Sequence, residues 1–316
     1  MAQSRPEPTE SRAFARMHPA LCLAAGLFVS KSKSGQTPGS STIQLAEYQT
    51  GDLIFVFEGH SPLGVEDLRA LQAVFVLASH PGNSIEIDTA APATRIGRSL
   101  VDALVPTTVQ GEPAIAKMIT TSLAALATAG GYAESGGGSR ARIALSLERL
   151  SAIAVICKRH QQEVSRSQLL ASVKLNPETD KLGQPADTQA LALAPCLSTT
   201  LLNGSTKSRY AHIEQAELVT LGQQAHSSRA RLLHMRLCGF IDPGHQRSVS
   251  VEKLAEYAFG NTKSGDTLRR QFGDIRKTMP KFVELGWETQ GDDRKGGEQV
   301  FSVTRPGLNK AKSRAK

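Results

Sequence analysis

Aromatic residues are scarce, at 5% of 316 with a single Trp. That scarcity argues against recognition of single strands or RNA on base-stacking platforms. Cysteine is also thin. Cys22, Cys157, Cys196 and Cys238 lie far apart with no Cys-x-x-Cys pair, so they read as free thiols of a reducing compartment rather than zinc ligands or disulfides. The eight histidines fall in no His-Glu-x-x-His or comparable spacing, which speaks against a metal centre. Nor does any apolar run reach bilayer-spanning length. The stretch 20–29, behind Arg5, Arg12 and Arg16, has the length of a signal-peptide core. Glu7 and Glu10 interrupt its basic lead, however, and no small-x-small site follows Val29 cleanly, so a cytoplasmic protein is expected.

Catalytic signatures are missing as well. The run Gly136-Gly137-Gly138-Ser139-Arg140 has no Gly-Lys-Ser/Thr after it, so it reads as a flexible turn, not a phosphate loop. Gly59-His60-Ser61 lacks the spacing of a nucleophile elbow. Asp292-Asp293 sits in a glycine-rich tip and reads as a solvated pair. Tyr48, Tyr132, Tyr210 and Tyr257 have no His-hydrophobe-His partner, which sets aside a rolling-circle relaxase. No catalytic residue, cofactor or metal is expected.

What the chain does have is positive charge. Its net charge is +8 and its pI about 9.4, a bias toward polyanionic partners. With 40% hydrophobic and 21% charged residues it can build ordinary cores, and its length favours two domains. Four cations lie on one stretch, 264–279. Read at helical period, Leu268, Phe272, Ile275 and Met279 form one narrow stripe, while Arg269, Arg270, Arg276 and Lys277 occupy the opposite arc. Ser264 or Asp266 is placed to cap its N-terminus. A shorter amphipathic helix over 251–258 precedes it across Phe259-Gly260-Asn261, giving the outline of a helix-turn-helix.

The same order of elements occurs earlier. A helix over 65–79 is followed by strand-like 85–87, a short capped helix at 121–129, and a basic helix over 139–150 with Arg142, Ser146 and Arg149 together on one side. A strand at 152–158, a tip at 162–166 and a strand at 169–175 complete the set. In the second copy, a helix over 228–240 leads in. Strands at 287–289 and 300–303 flank a tip that carries Arg294 and Lys295. Ser122-Leu123-Ala124-Ala125-Leu126 lines up with Ser250-Val251-Glu252-Lys253-Leu254. Strands are also expected at 43–47 and 52–58, and a short helix at 214–221.

The expected fold class is therefore α+β, as two tandem winged helix-turn-helix domains related by an internal repeat. Residues 1–16 make a flexible polar tail, 17–178 the first domain, 179–212 a linker and crossover, 213–305 the second domain and 306–316 a basic tail. In such a protein each basic helix enters a major groove and each hairpin tip rests on the neighbouring backbone. The candidate DNA contacts are Ser139, Arg140, Arg142, Ser146 and Arg149 on the first helix and Arg166 at its tip. Those of the second copy are Lys263, Ser264, Thr267, Arg269, Arg270, Arg276 and Lys277, with Arg294 and Lys295 at the tip. Two readers on one chain suit a direct-repeat or asymmetric site, one monomer per repeat, with double-stranded DNA as the partner.

Four strings carry a family resemblance: MHPALCLAAGLF at 17–28, EGHSPLGVEDLRALQ at 58–72, RARLLHMRLCGFIDPG at 229–244 and PKFVELGW at 280–287. Together, over roughly 17–305, the chain resembles the RepC-type replication initiators of IncQ-like plasmids. The resemblance implies a tandem winged-helix protein that binds iterons at a plasmid origin and opens the adjacent AT-rich DNA. It further implies loading of a plasmid-encoded hexameric helicase, with a dedicated primase acting afterwards. The chain departs from that pattern in a longer polar N-terminal tail and in few arginines ahead of the first basic helix. The alternative class is a transcriptional regulator with two winged-helix domains.

Overall fold

The computed structural model describes residues 13–30, 42–108, 114–132, 136–175, 187–201, 209–223, 227–260, 265–293 and 299–308. The fold is mixed α+β with several small sheets. In chain order the first half contains β1 (Phe14–Met17), α1 (Pro19–Leu23), β2 (Ile43–Thr50), β3 (Leu53–Gly59) and α2 (Val65–Ser79). It continues with β4 (Ser84–Asp88), α3 (Arg95–Leu104), β5 (Thr107–Thr108), β6 (Ile115–Ser122), α4 (Leu123–Ala129) and α5 (Gly137–Ser151). It closes with β7 (Ala154–Arg159), β8 (Gln162–Gln168), β9 (Leu170–Lys174), β10 (Thr188–Leu193) and α6 (Pro195–Ser198). The second half contains β11 (Ala211–Glu214), α7 (Gln215–Gln223), α8 (Ser227–Phe240), β12 (Gln246–Ser250), α9 (Val251–Phe259), α10 (Asp266–Thr278), β13 (Glu288–Asp293) and β14 (Gln299–Thr304).

Once β4, α3 and β5, inserted between α2 and β6, are set aside, two segments share an order of helix, strand, helix, helix, strand, strand: α2–β6–α4–α5–β7–β8 and α8–β12–α9–α10–β13–β14. The aligned serines do the same local job. Ser122 accepts from the Ala125 N–H at 3.1 Å and Ser250 from the Lys253 N–H at 3.2 Å, each satisfying a donor that the first helical turn leaves open. The sheets then diverge. In the second segment β12, β14 and β13 pair directly as one three-stranded sheet. In the first, β6 pairs with β4 and β10, while the β7–β8 hairpin is absorbed into a sheet ordered β2-β3-β7-β8-β5. β3 lies inside that sheet and is hydrophobic on both faces: Phe55 and Phe57 join the main core, Ile54 and Val56 meet Ile156 on the other side.

Several expectations change. The first tip is at His160 and Gln161, both with positive φ, as a two-residue hairpin turn demands. Arg166 therefore lies within β8, not at a tip. Residues 14–16, expected in a flexible tail, belong to β1, which pairs antiparallel with β11 (Phe14↔Glu214). The stretch expected as linker and crossover contributes β10, a strand between β6 and β9. Its Ala and Leu residues lack the β-branching that marks a strand in sequence. β6 and α3 were likewise not foreseen.

α8 joins the halves. Residues 230–239 are buried on every side, so this is a core helix, not the one-faced helix the sequence pattern predicts. It touches α1, α2, α7, α9 and β11. Two of its arginines are fully buried and reach across into the first half. Arg231 donates to Gln72 Oε1 (2.8 Å) and to the carbonyls of Gly130 (3.2 Å) and Leu218 (2.7 Å). Arg236 donates to the Cys22 carbonyl at 2.5 Å. Glycines permit the close approach: a Cβ on Gly222 would stand 1.9 Å from the Gly131 carbonyl oxygen. One hydrophobic cluster consequently runs from Ala15 to Val303 through both halves. Among the described residues no helix is long and apolar enough to cross a membrane.

Candidate nucleic-acid interface

The two basic helices treat their cations differently. α10 starts at Gly265, whose φ of 75° lies in the left-handed region, and no side chain caps it. Asp266 occupies the first turn instead of the cap, and Ser264 lies outside the described residues. Asp266 at the start with Arg276 and Lys277 at the end complements the helix dipole. Ile275 and Met279 are fully buried, with Leu268 and Phe272 half-buried beside them, which is the predicted stripe. The ion pair Arg229–Asp274 at 3.1 Å ties the helix to α8.

On the opposite face Arg269, Arg270, Arg276 and Lys277 are exposed. Arg269 is 88% exposed and has only a loose contact, 3.8 Å, with a fully exposed Asp266. Arg276 donates to Gln299 at the surface. Among the described residues Arg270 and Lys277 have no hydrogen-bond or ion-pair partner. Thr267 is half-buried near the N-terminus. Lys281, just beyond the helix, and Arg247 on β12 are also exposed. Neither was singled out in the sequence, because Lys281 follows Pro280 and Arg247 lies in an unforeseen strand. Lys263, Arg294 and Lys295 lie outside the described residues.

α5 spends its polar residues on the fold. Ser146 is fully buried and Ser139 is 8% exposed; both face inward with Ile143, Leu147 and Leu150, so the row of Arg142, Ser146 and Arg149 is broken. Arg149 bends onto Asp67, donating at 2.8 Å from Nε and 2.6 Å from Nη2. Asp67 is itself buried, and its other oxygen accepts the Gly64 N–H at 2.7 Å at the start of α2. Arg140 pairs with Asp187 at 3.4 Å. Arg166 sits between Glu58 (3.2 Å) and Glu163 (3.1 Å); the hydrogen bonds it donates to Glu163 hold its pKa above the ordinary arginine value. Arg142 is exposed, with one bond to the Gly138 carbonyl at 3.3 Å.

Beside Phe282 and Trp287, just beyond α10, lies a group the spacing of histidines did not suggest. Glu217 of α7 meets His234 and Cys238, one turn apart on α8, with their ligand-type atoms all within 4.8 Å. The signal in sequence is His-x-x-x-Cys, which puts both side chains on one helix face. Glu217 accepts His234 Nε2 at 2.8 Å and Trp287 Nε1 at 2.7 Å. Burial opposes charge on both partners. Cys238 and Glu217 nonetheless lift the His234 pKa to about 9, and His234 holds the Glu217 carboxyl below its ordinary value. The arrangement is a buried ion pair that anchors Trp287, at the entrance to β13, against α8, with His234 Nδ1 left without a partner among the described residues.

A family model described as Replication protein C (RepC) matches residues 10–307. No curated protein and no solved structure matches the chain.

Proposed function

The chain belongs to the replication protein C family, a family of plasmid replication proteins, and from that premise we propose that it is an initiator that binds repeated double-stranded DNA at an origin. The observation that carries this reading is the exposed cationic face of α10, turned away from the stripe that docks the helix. The second segment supports it further. Its element order, with β12, β14 and β13 paired in that sequence, is the layout of a winged helix, with α10 in the place of the recognition helix. The first segment repeats the element order with a remodelled sheet, so we read the pair as tandem winged-helix units.

In this reading Arg269, Arg270, Arg276 and Lys277 neutralise phosphates and carry whatever base readout α10 performs. The first half, packed against α8, adds Arg142. The protein melts adjacent DNA by binding energy alone, hydrolyses nothing itself, and hands the opened strand to a plasmid-encoded helicase, with a primase following. One monomer serves each repeat.

The test is footprinting on the repeats of the replicon that encodes the chain, followed by permanganate probing of neighbouring thymines, with and without the replicon's helicase. Protection of the repeats together with reactive thymines beside them is expected. Protection without opening, even with helicase present, instead fits a transcriptional regulator.

A further inference from the structure

Gly273 occupies the middle of the cationic face of α10. At helical period Arg269, Arg270, Arg276 and Lys277 all fall within about 60° of it around the axis, and the four span about 12 Å along it. That length matches the width of a B-DNA major groove. Interior helical glycine is the least favourable residue there apart from proline, because it gives up most backbone freedom and packs nothing. A glycine in such a place needs a reason. Two other helical glycines have one within the fold. A Cβ on Gly222 would lie 1.9 Å from the Gly131 oxygen, and one on Gly239 would lie 2.8 Å from Cys22 Cβ and from Leu23 Cδ2. Gly273 has neither a positive φ nor a neighbour: a Cβ built on it meets nothing within 4 Å. The fold leaves this spot bare.

We propose that Gly273 is the close-approach point of a duplex-DNA docking surface, a gap in the side-chain layer where a groove wall or floor comes down onto the helix backbone. The four surrounding cations are long and flexible and reach outward past the gap to phosphates on either side. A methyl group in the gap lifts the DNA off the backbone and lengthens every one of those contacts at once. The idea deepens the reading of α10 as the DNA-contacting helix and depends on it.

The experiment compares Gly273→Ala, Gly273→Leu, Arg270→Ala and the native chain, all full length, by thermal unfolding and by titration of a labelled duplex cut from the encoding replicon's origin. A mixed-sequence duplex serves as second probe. Gly273→Ala is expected to raise Tm by about 1–3 °C, since alanine favours the helix. It should still bind the origin duplex about fivefold more weakly, and Gly273→Leu about a hundredfold, as overpacking at a contact does. Because no charge is removed, the salt dependence of the remaining binding stays close to native, whereas Arg270→Ala makes it shallower. Undiminished affinity in Gly273→Ala, with Arg270→Ala impaired, overturns the close-approach role and leaves α10 as the interface. Undiminished affinity in both removes the underlying reading too. A lower Tm for Gly273→Ala shows that the fold itself needs the glycine, and also overturns the proposal. Should Gly273→Leu misfold, Gly273→Ala alone decides.

Discussion

α5 and α10 look alike as strings, each a basic amphipathic helix following a short serine-capped one. In space they are opposites. Two cations of α5 are tied to carboxylates, Arg149 to buried Asp67 and Arg140, at the surface, to Asp187, while Arg142 stays exposed. Those of α10 stand clear of the protein, with Arg269 almost wholly exposed. The difference follows from what each helix has beside it. α5 packs against α2, which supplies a carboxylate already committed to its own N-terminus. α10 packs chiefly against α9 and the 3-10 turn at Met279–Leu285, and its one strong ion pair goes through Asp274, on its own acidic side. α10 thus leaves Arg269, Arg270 and Lys277 with no carboxylate nearer than 3.8 Å among the described residues.

The contrast is open to direct attack. The largest effect should come from Asp67→Ala, which strips α2 of its capping carboxylate and Arg149 of its partner. We expect a loss of about 2–3 kcal/mol in urea unfolding, the usual worth of hydrogen bonds to a charged group, with solvent around Arg149 absorbing part of it. Arg149→Ala should cost less, about 1–2 kcal/mol, and leave the salt dependence of DNA binding untouched. A shallower salt slope in that variant, with the fold intact, breaks the comparison.

Arg270→Ala and Lys277→Ala should do the reverse. Each should change stability by less than about 0.5 kcal/mol and reduce the log–log salt slope by about 0.9 if it meets a phosphate. A base contact would instead cost roughly 1–3 kcal/mol on the cognate repeat and less on mixed sequence. Native affinity and slope in both variants would take α10 out of the interface.

A separate effect, in pH, concerns the seam where α7 and α8 meet Trp287. His234 titrates at about 9 in the fold against 6.5 as a free side chain. Its contribution is thus complete below pH 6.5 and lost as pH rises through about 9. His18, lowered to about 4 by burial, and His212, lowered to about 4 by burial and nearby Arg305, act the other way. Theirs is present above pH 6.5 and lost on acidification toward 4. Urea midpoints measured from pH 4 to 9 should fall at both ends, and Glu217→Gln should flatten the alkaline decline alone. A decline that survives that substitution assigns it to another group.

Much of the architecture is legible because it is local. Val65–Ser79 was bounded correctly by Pro62, Gly64 and its apolar period, and α5, α8, α9 and α10 fall within a residue or two of their predicted ends. Ser122 and Ser250 announce helices because a hydroxyl accepting an N–H three residues on is a short-range event. β6 and β10 escaped notice for the opposite reason. β6 is paired on both edges, and β10 on one, by strands distant in sequence, and in β10 tertiary burial overrides a weak strand propensity. The cation positions were equally plain, but not their engagements. Nothing near Arg149 in sequence points to Asp67, eighty-two positions away.

The sequence by itself determined most of the longer helices, α3 excepted, which segments carry positive charge, and, through strings such as RLCGFIDPG, which family the chain joins. Those properties reside in periodicity, capping chemistry and residue identity, all read within a few turns. Only the tertiary structure decided that the halves share one core instead of hanging on a linker, and that α8 is buried all round with its arginines inward. It alone separated the spent cations of α5 from the available ones of α10. Each of those outcomes depends on which surfaces meet, and long-range contact is information that no local pattern carries.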